Sequence, residues 1–332
     1  MKIIKWLAVI VLLLILVYFL GPHPSTPVYL EQLPVIPAGP EQLEKYIADH
    51  ERIHKLKADN EARIIWYNDS VKTKTEYAVV YLHGFSASQE EGDPVHQNFA
   101  KTFGCNLFLS RLAEHGIDTV DEMINLTADK LWESAKEAYM IGKQIGKKVI
   151  LIGTSTGGTL ALRLAAKYPD IAALILLSPN IAINDPNAWV LNNPWGLQVA
   201  RMIKGKFNTA QDTTAMFKRY WYSRYRMEAA VELEELLETS MKSSVFEKVK
   251  QPVLLLYYYK DEEHQDDVVK VSAMQRMFRQ LGTADSLKRE VPTTATGDHV
   301  IGSYITSKDV NSVEKACKDF ATEVMHLQPL TP

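Results

Sequence analysis

The sequence predicts an α/β fold in which helices cover both faces of a mostly parallel sheet. Short apolar runs alternate with helix-like segments along most of the 332-residue chain. One such run, residues 149–152, passes through glycines and Ser155 into a helical pattern without a loop. Hydrophobic residues make up 46% of the chain, which is enough for a large core. Alternation of this kind is typical of parallel sheets, whose strands are connected by helices.

The individual elements follow from apolar runs and helical periodicity, with turn residues between them. The segments predicted as strands read, in chain order, "ARIIWYN", "YAVVYLHGF", "CNLFLSRL", "KVILIG", "IAALILLS", "PVLLLYYYKD" and "LKREVP". The predicted helices cover residues 40–59, 127–145, 157–168, 268–281 and 310–327. Strands and helices therefore alternate except within one segment, at about 180–250, which we interpret as an insertion.

The first twenty residues predict a membrane anchor. Lys2 and Lys5 precede an apolar run that continues to Leu20, and as a helix it would span about 27 Å, close to the thickness of a bilayer core. Lysines before the run favour an inside N-terminus, with the large domain on the outer side of the membrane. A cleaved signal peptide is the alternative, because its apolar region can be this short. The lack of a small-x-small cleavage site after Leu20 favours the anchor.

The rest of the chain divides into a proline-rich spacer, residues 21–40, and one large domain, residues 41–332. We expect the spacer to be extended and semi-rigid, with no function of its own. The insertion is rich in aromatic residues, which could form the inner face of a lid or simply the insertion's own core. These residues are Trp189, Trp195, Phe217, Tyr220, Trp221, Tyr222 and Tyr225.

Charge and cysteine content narrow the function classes. The formal net charge is −3, from 37 basic and 40 acidic residues, so the chain lacks the basic excess of nucleic-acid-binding proteins. Cys105 and Cys317 have no metal-ligand spacing and form no CxxC motif, so we expect isolated buried thiols. The fold should not depend on disulfides, and no metal is implied.

The chemistry centres on Gly153-x-Ser155-x-Gly157. A strand that enters a helix through this pattern makes a tight corner, and the central residue is held in a strained conformation with its side chain at the strand end. Glycine at both flanking positions permits the close approach of neighbouring backbone. Most Gly/Ser/Thr clusters are ordinary turns, but the strand before and the helix after this one favour a nucleophile at Ser155.

Four features together resemble the α/β-hydrolase superfamily, specifically the monoacylglycerol lipase and carboxylesterase-like members with a helical cap. They are "LHGF" after an early strand, "GTSTGG" at the corner, an acidic loop after "PVLLLYYY", and "TGDHV" after the last short strand. The resemblance covers most of the chain after about Arg63 and implies a triad in the order serine, acid, histidine. It assigns Ser155 as nucleophile and His299 as general base, and it makes the backbone N–H groups of Phe85 and Thr156 the oxyanion donors.

The triad acid stays open between two aspartates of the loop "YYYKDEEHQDDVVKVSAM". Asp261 lies nearer the strand end, where the family often has its aspartate. Asp266 matches the aspartate-x-Val-Val entry into the following helix and is only 33 residues before His299, which favours it. Asp267 suits the N-terminus of that helix, where the helix dipole stabilises a carboxylate.

The resemblance implies a membrane-anchored serine hydrolase that acts on carboxylic esters, with lipid or monoacylglycerol-like substrates preferred. No organic cofactor is implied, and the sequence does not indicate the oligomeric state. The same triad would serve a thioesterase, an amidase or peptidase, or an acyltransferase. A binding protein that keeps the scaffold and recognises a lipid or partner without catalysis is the alternative from another class.

Overall fold

The computed structural model describes residues 2–212 and 214–330, and in that part of the chain it confirms the predicted fold class. Seven strands form one sheet in the order β1-β3-β2-β4-β5-β8-β9. Only β1 is antiparallel to its neighbour. The strands of this sheet are β1 (Arg63–Ile65), β2 (Thr75–Leu82), β3 (Asn106–Leu109), β4 (Gly146–Thr154), β5 (Ile171–Leu177), β8 (Val253–Tyr258) and β9 (Lys288–Thr293). A separate two-stranded sheet pairs β6 (Phe207–Thr209) with β7 (Arg224–Arg226).

Helices cover both faces of the large sheet. Side chains of β2 alternate between two cores, with Val80 and Leu82 in one and Val79 and Tyr81 in the other. This alternation is the period-two pattern of a strand that is buried on both faces. The helices are α1 (Lys2–Phe19), α2 (Pro40–Arg52), α3 (Val95–Thr102), α4 (Ala128–Ile145), α5 (Thr156–Lys167), α6 (Gly196–Lys204), α7 (Ala215–Tyr220), α8 (Met227–Ser240), α9 (Ser243–Phe246), α10 (Val271–Gln280) and α11 (Val310–Glu323).

The N-terminal helix α1 stands apart from both cores. None of its residues is buried. With a mean hydropathy of 2.5, the helix is apolar enough and long enough to cross a membrane. A signal sequence would have the same properties. The end of α1 contacts the insertion at Trp195, whose indole Nε1–H donates to Val17 O at 3.0 Å and whose backbone N–H donates to Pro22 O at 2.9 Å.

The proline-rich segment forms no helix or strand over residues 22–38, and it does not run free of the domain. Trp132 Nε1–H donates to Leu30 O at 2.7 Å. The ammonium group of Lys136, on the next turn of α4, donates to Leu30 O at 2.9 Å and to Gln32 O at 2.7 Å. Lys136 is buried, and Tyr168 OH bonds Glu31 O at 2.7 Å. The segment is therefore a strap bound across α4 and the end of α5, because these buried donors satisfy its otherwise unpaired carbonyls.

The aromatic residues of the insertion differ in burial. Trp189 and Trp195 are exposed, whereas Tyr220, Trp221 and Tyr222 are buried. Tyr220 and Trp221 pack with Val300, next to His299, and with Ala87 on the loop after β2. This part of the insertion therefore lies against the loops that follow the carboxyl ends of the strands.

Cys105 and Cys317 are buried free thiols, as predicted. Burial raises the pKa of the Cys105 thiol to about 12, so the group is not a thiolate at neutral pH.

Candidate active site

Ser155 occupies the corner between β4 and α5 in a strained conformation. Its φ of 51° and ψ of −117° lie outside the regions that L-residues normally adopt. A Cβ on Gly157 would lie 1.9 Å from Leu82 O, and one on Gly153 would lie 2.6 Å from the Gly157 carbonyl carbon. Both glycines are therefore required for backbone to pass this closely, and the corner holds the serine at the carboxyl edge of the sheet.

His299 and Asp266 meet at the same edge, from the loops after β9 and β8. His299 Nδ1 lies 2.6 Å from Asp266 Oδ2, and both side chains are buried. The other carboxylate oxygen of Asp266 accepts the N–H groups of Val268 and Val269, each at 3.0 Å. Since the aspartate is thus fixed in orientation, Nδ1 carries the proton that it donates, and Nε2 is left to accept one.

The alternative acid, Asp261, is directed elsewhere. Its carboxylate is half-exposed and bonds His264 Nδ1 at 2.7 Å within its own loop. The helix-terminus role expected for Asp267 is wrong, because α10 begins at Val271 after Lys270 and no side chain caps it. Of the three aspartates in this loop, Asp266 is the one that is hydrogen-bonded to His299.

The charges around His299 favour its protonated form. Burial disfavours the imidazolium, but the charge and hydrogen bond of Asp266, together with the charges of Glu91 and Asp298, outweigh burial and raise the pKa of His299. A raised pKa makes the imidazole a stronger base. Among the hydrogen bonds of the described residues there is none between Ser155 Oγ and His299, a contact that often tightens only when substrate binds.

The two expected oxyanion donors are available. Within the described part of the chain, neither the Phe85 N–H nor the Thr156 N–H has a hydrogen-bond acceptor. Thr156 is the first residue of α5, so its N–H also lies at the positive end of the helix dipole. The Phe85 ring contacts Tyr225 edge-on, with centroids 5.0 Å apart, so it lines the space between the loop after β2 and the insertion.

Three buried side chains around the loop after β2 were not predicted from the sequence as part of the site. His83 Nε2 accepts the Leu112 N–H at 3.0 Å, so its proton is on Nδ1, which donates to Gly84 O at 2.9 Å. His115 Nε2 accepts the Ser86 N–H at 3.0 Å. Glu91 accepts the Gly84 N–H at 2.5 Å.

No sequence pattern predicts these contacts, because they join residues 7 to 29 positions apart in irregular segments. Burial lowers the pKa of His83 well below its usual value and that of His115 to about 4, so both rings are neutral at neutral pH. In the part of the chain that the structure describes, no three His, Cys, Asp or Glu side chains are arranged to hold a metal ion.

Comparison with known proteins agrees with this geometry. A family model described as serine aminopeptidase, S33, a hydrolase family, matches residues 127–293, half of the chain. The chain belongs to this family. The match includes Ser155, Asp261 and Asp266 and ends before His299.

The chain is also similar to a curated relative, a thermostable monoacylglycerol lipase from Bacillus sp. (strain H-257). The two are 32% identical over 108 residues, which is 32% of this chain and 42% of that lipase. The aligned region thus spans less than half of the relative's length.

Solved structures share the fold. A structure reported for LipS and LipT, two metagenome-derived lipolytic enzymes, matches with a TM-score of 0.63 at 17% identity, over 80% of this chain and 98% of that one. The monoacylglycerol lipase of Paleococcus ferrophilus matches with a TM-score of 0.58 at 15% identity, over 79% and 98% of the two chains. These comparisons confirm the resemblance to lipase- and esterase-like α/β hydrolases.

Proposed function

We propose that this protein is a serine hydrolase that cleaves carboxylic esters through an acyl-enzyme intermediate. The observation that carries the proposal is the buried pair His299 Nδ1–Asp266 Oδ2, 2.6 Å apart, at the sheet edge where Ser155 occupies its strained corner. A buried aspartate that fixes the imidazole tautomer is what a serine nucleophile requires from its base.

In the proposed mechanism Ser155 Oγ attacks the ester carbonyl carbon while His299 Nε2 takes the serine proton. The carbonyl oxygen becomes an oxyanion and accepts the N–H groups of Phe85 and Thr156, each of which contributes about 3 kcal/mol to transition-state stabilisation. The carbon–alkoxy bond then breaks, and His299 returns the proton to the leaving alcohol. Water, deprotonated by the same imidazole, hydrolyses the acyl-serine and restores the enzyme.

The substrate class that we propose is an ester with an apolar acyl chain, of the monoacylglycerol type. A cavity of about 490 Å³ lies between α6, α8 and the start of the insertion, and its lining is mainly apolar. Tyr225 lines this cavity and also contacts the Phe85 ring, so its side chain lies between the cavity and the loop with the oxyanion donors. In this role the insertion is a cap whose cavity receives the acyl chain.

We further propose that α1 anchors the enzyme in a membrane with the domain on the outer side. The contacts of Trp195 with Val17 O and Pro22 O join the end of α1 to the cap, so the cap would lie beside the membrane that supplies a lipid ester. We expect the full chain to sediment with membranes, and a chain that begins at Thr26 to remain soluble and active. A mature N-terminus near Gly21 or Ser25, read by mass spectrometry, would instead indicate a cleaved signal peptide.

Labelling with a fluorophosphonate probe tests the central proposal, because covalent capture requires an activated serine. We expect the wild type to be labelled and Ser155→Ala to be unlabelled and inactive on p-nitrophenyl esters, with an unchanged melting temperature. A folded wild type that is neither labelled nor active would leave a non-catalytic binding protein as the explanation. A panel of esters of graded chain length, with thioester and aminoacyl-anilide substrates beside it, defines the leaving group and acyl length.

A further inference from the structure

Glu91 is buried in a position that the proposed mechanism does not use. It lies in a short 3-10 helix, residues Gln89–Gly92, and its carboxylate oxygen Oε2 accepts the Gly84 N–H at 2.5 Å and the Tyr81 OH at 3.4 Å. Among the salt bridges of the described residues, none involves Glu91. Burial raises the pKa of its carboxyl group to about 7. Burial of a carboxyl group without a salt-bridge partner costs stability, and such groups cluster at functional sites.

The carboxyl group also adjoins the proposed nucleophile. A Cβ on Gly84 would lie 2.6 Å from Glu91 Oε1 and 3.0 Å from Ser155 Cβ. Glu91 Oε1 and Ser155 Cβ therefore lie on the same side of the Gly84 Cα, and the distance between these two atoms cannot exceed the sum of the two values. Only glycine at position 84 permits this arrangement.

The two peptide units that flank the Gly84 Cα are each held by one buried side chain. Glu91 accepts the N–H of the first unit, and His83 Nδ1–H donates to the Gly84 carbonyl of the second. In a trans peptide the C=O and N–H point in opposite directions, so a Gly84 carbonyl bound to His83 turns the Phe85 N–H the other way. Glycine has the widest backbone freedom of any residue, so a hydrogen bond on both sides is needed to fix it.

We propose that Glu91 is a positioning residue for ester hydrolysis, whose carboxyl group fixes the Gly84 backbone and thereby the Phe85 N–H that binds the oxyanion. This inference rests on the proposed function of Ser155 and Phe85. The role requires a hydrogen-bond acceptor at position 91, and glutamine provides one through its amide oxygen. Alanine does not.

The test compares Glu91→Ala, Glu91→Gln and the matched control Glu90→Gln on a p-nitrophenyl ester. Glu90 lies in the same short helix and bonds Tyr304 OH at 2.8 Å, without contact to Gly84. We expect Glu91→Ala to lower kcat about tenfold or more with KM nearly unchanged, since a misdirected oxyanion donor affects the transition state and not substrate binding. Glu91→Gln should retain kcat within about threefold, and Glu90→Gln should match the wild type.

A pH profile tests separately whether the Glu91 carboxyl group lies close enough to His299 to act on its charge. The titratable groups that face Glu91 are Tyr81 from β2 and His299 from the loop after β9, and His299 is faced in turn by Asp266 and Asp298. In its ionised form Glu91 helps to retain the proton on His299, so Glu91→Gln should move the acid limb of kcat/KM to lower pH. Glu90→Gln should leave the limb in place.

Wild-type kcat in a folded Glu91→Ala variant would overturn the proposal, and so would a Glu91→Gln variant as impaired as the alanine variant. If Glu91→Ala does not fold, Glu91→Leu takes its place as the variant without an acceptor, and wild-type kcat in that variant would overturn the proposal in the same way. Wild-type turnover and fluorophosphonate labelling, measured alongside, distinguish these outcomes from failure of the proposed function itself. In that case the wild type would be inactive and unlabelled.

Discussion

Replacement of the two candidate acids tests the geometry around His299 most directly. In Asp266→Asn the amide oxygen can still accept the N–H groups of Val268 and Val269, so the loop should keep its conformation. The amide nitrogen would then face His299 Nδ1 and donate to it, which moves the imidazole proton to Nε2. With a proton on Nε2, the imidazole cannot accept one from Ser155.

The expected loss follows from that tautomer change. In serine hydrolases, loss of the buried acid in this way lowers kcat by about 10⁴-fold, which corresponds to about 5 kcal/mol of transition-state stabilisation. Asp266→Asn should therefore show a kcat lower by three to four orders of magnitude (~10³–10⁴) on a p-nitrophenyl ester. Its melting temperature should change little, because the aspartate's two backbone hydrogen bonds survive.

Asp261→Asn is the matched control. Asp261 is half-exposed and bonds only within its own loop, to His264 Nδ1 and to the N–H groups of Glu263 and His264, so its replacement should leave kcat near the wild-type value. The reasoning fails if Asp261→Asn is the crippled variant while Asp266→Asn turns over normally. The acid that orients His299 would then be the one nearer the strand end.

Further predictions concern stability. Burial lowers the pKa values of His96 and His115 to about 4, so below pH 6.5 the unfolded chain binds more protons than the folded chain. Each of the two rings should therefore lower the free energy of unfolding by about 3 kcal/mol between neutral pH and pH 4. Urea denaturation at the two pH values measures this loss. Gly157→Ala, whose methyl group would lie 1.9 Å from a strand carbonyl, should lower that free energy by more than about 3 kcal/mol. Gly205→Ala meets no neighbouring atom, but φ 82° with ψ −166° is a conformation nearly confined to glycine, so backbone strain alone should cost about 1–3 kcal/mol. Lys136→Met leaves the Gln32 carbonyl unpaired, whereas Leu30 O keeps its bond from the Trp132 indole, so the variant should lose about 2 kcal/mol of unfolding free energy. Proteolysis of residues 21–36 should also become faster, and an unchanged cleavage rate would contradict the strap.

Sequence alone determined the strands of the large sheet, most of the helices that connect them, and the corner at Ser155. Strand and helix periods are local, so runs such as 149–152 and the helix after Gly157 were predicted close to their observed bounds. The corner was also predictable, because the glycines that permit it lie within two positions of the serine. The order of the candidate triad members along the chain followed from the family resemblance.

Tertiary structure alone decided which side chains meet. Asp261 and Asp266 are five positions apart in one polar loop, and only the path of that loop brings Asp266 and not Asp261 to His299. The docking of the strap on Lys136 and the contact of Glu91 with Gly84 likewise depend on segments that fold against each other. Local periodicity carries no information about such contacts, because they follow from how the loops and the strap cross a sheet that must first be assembled.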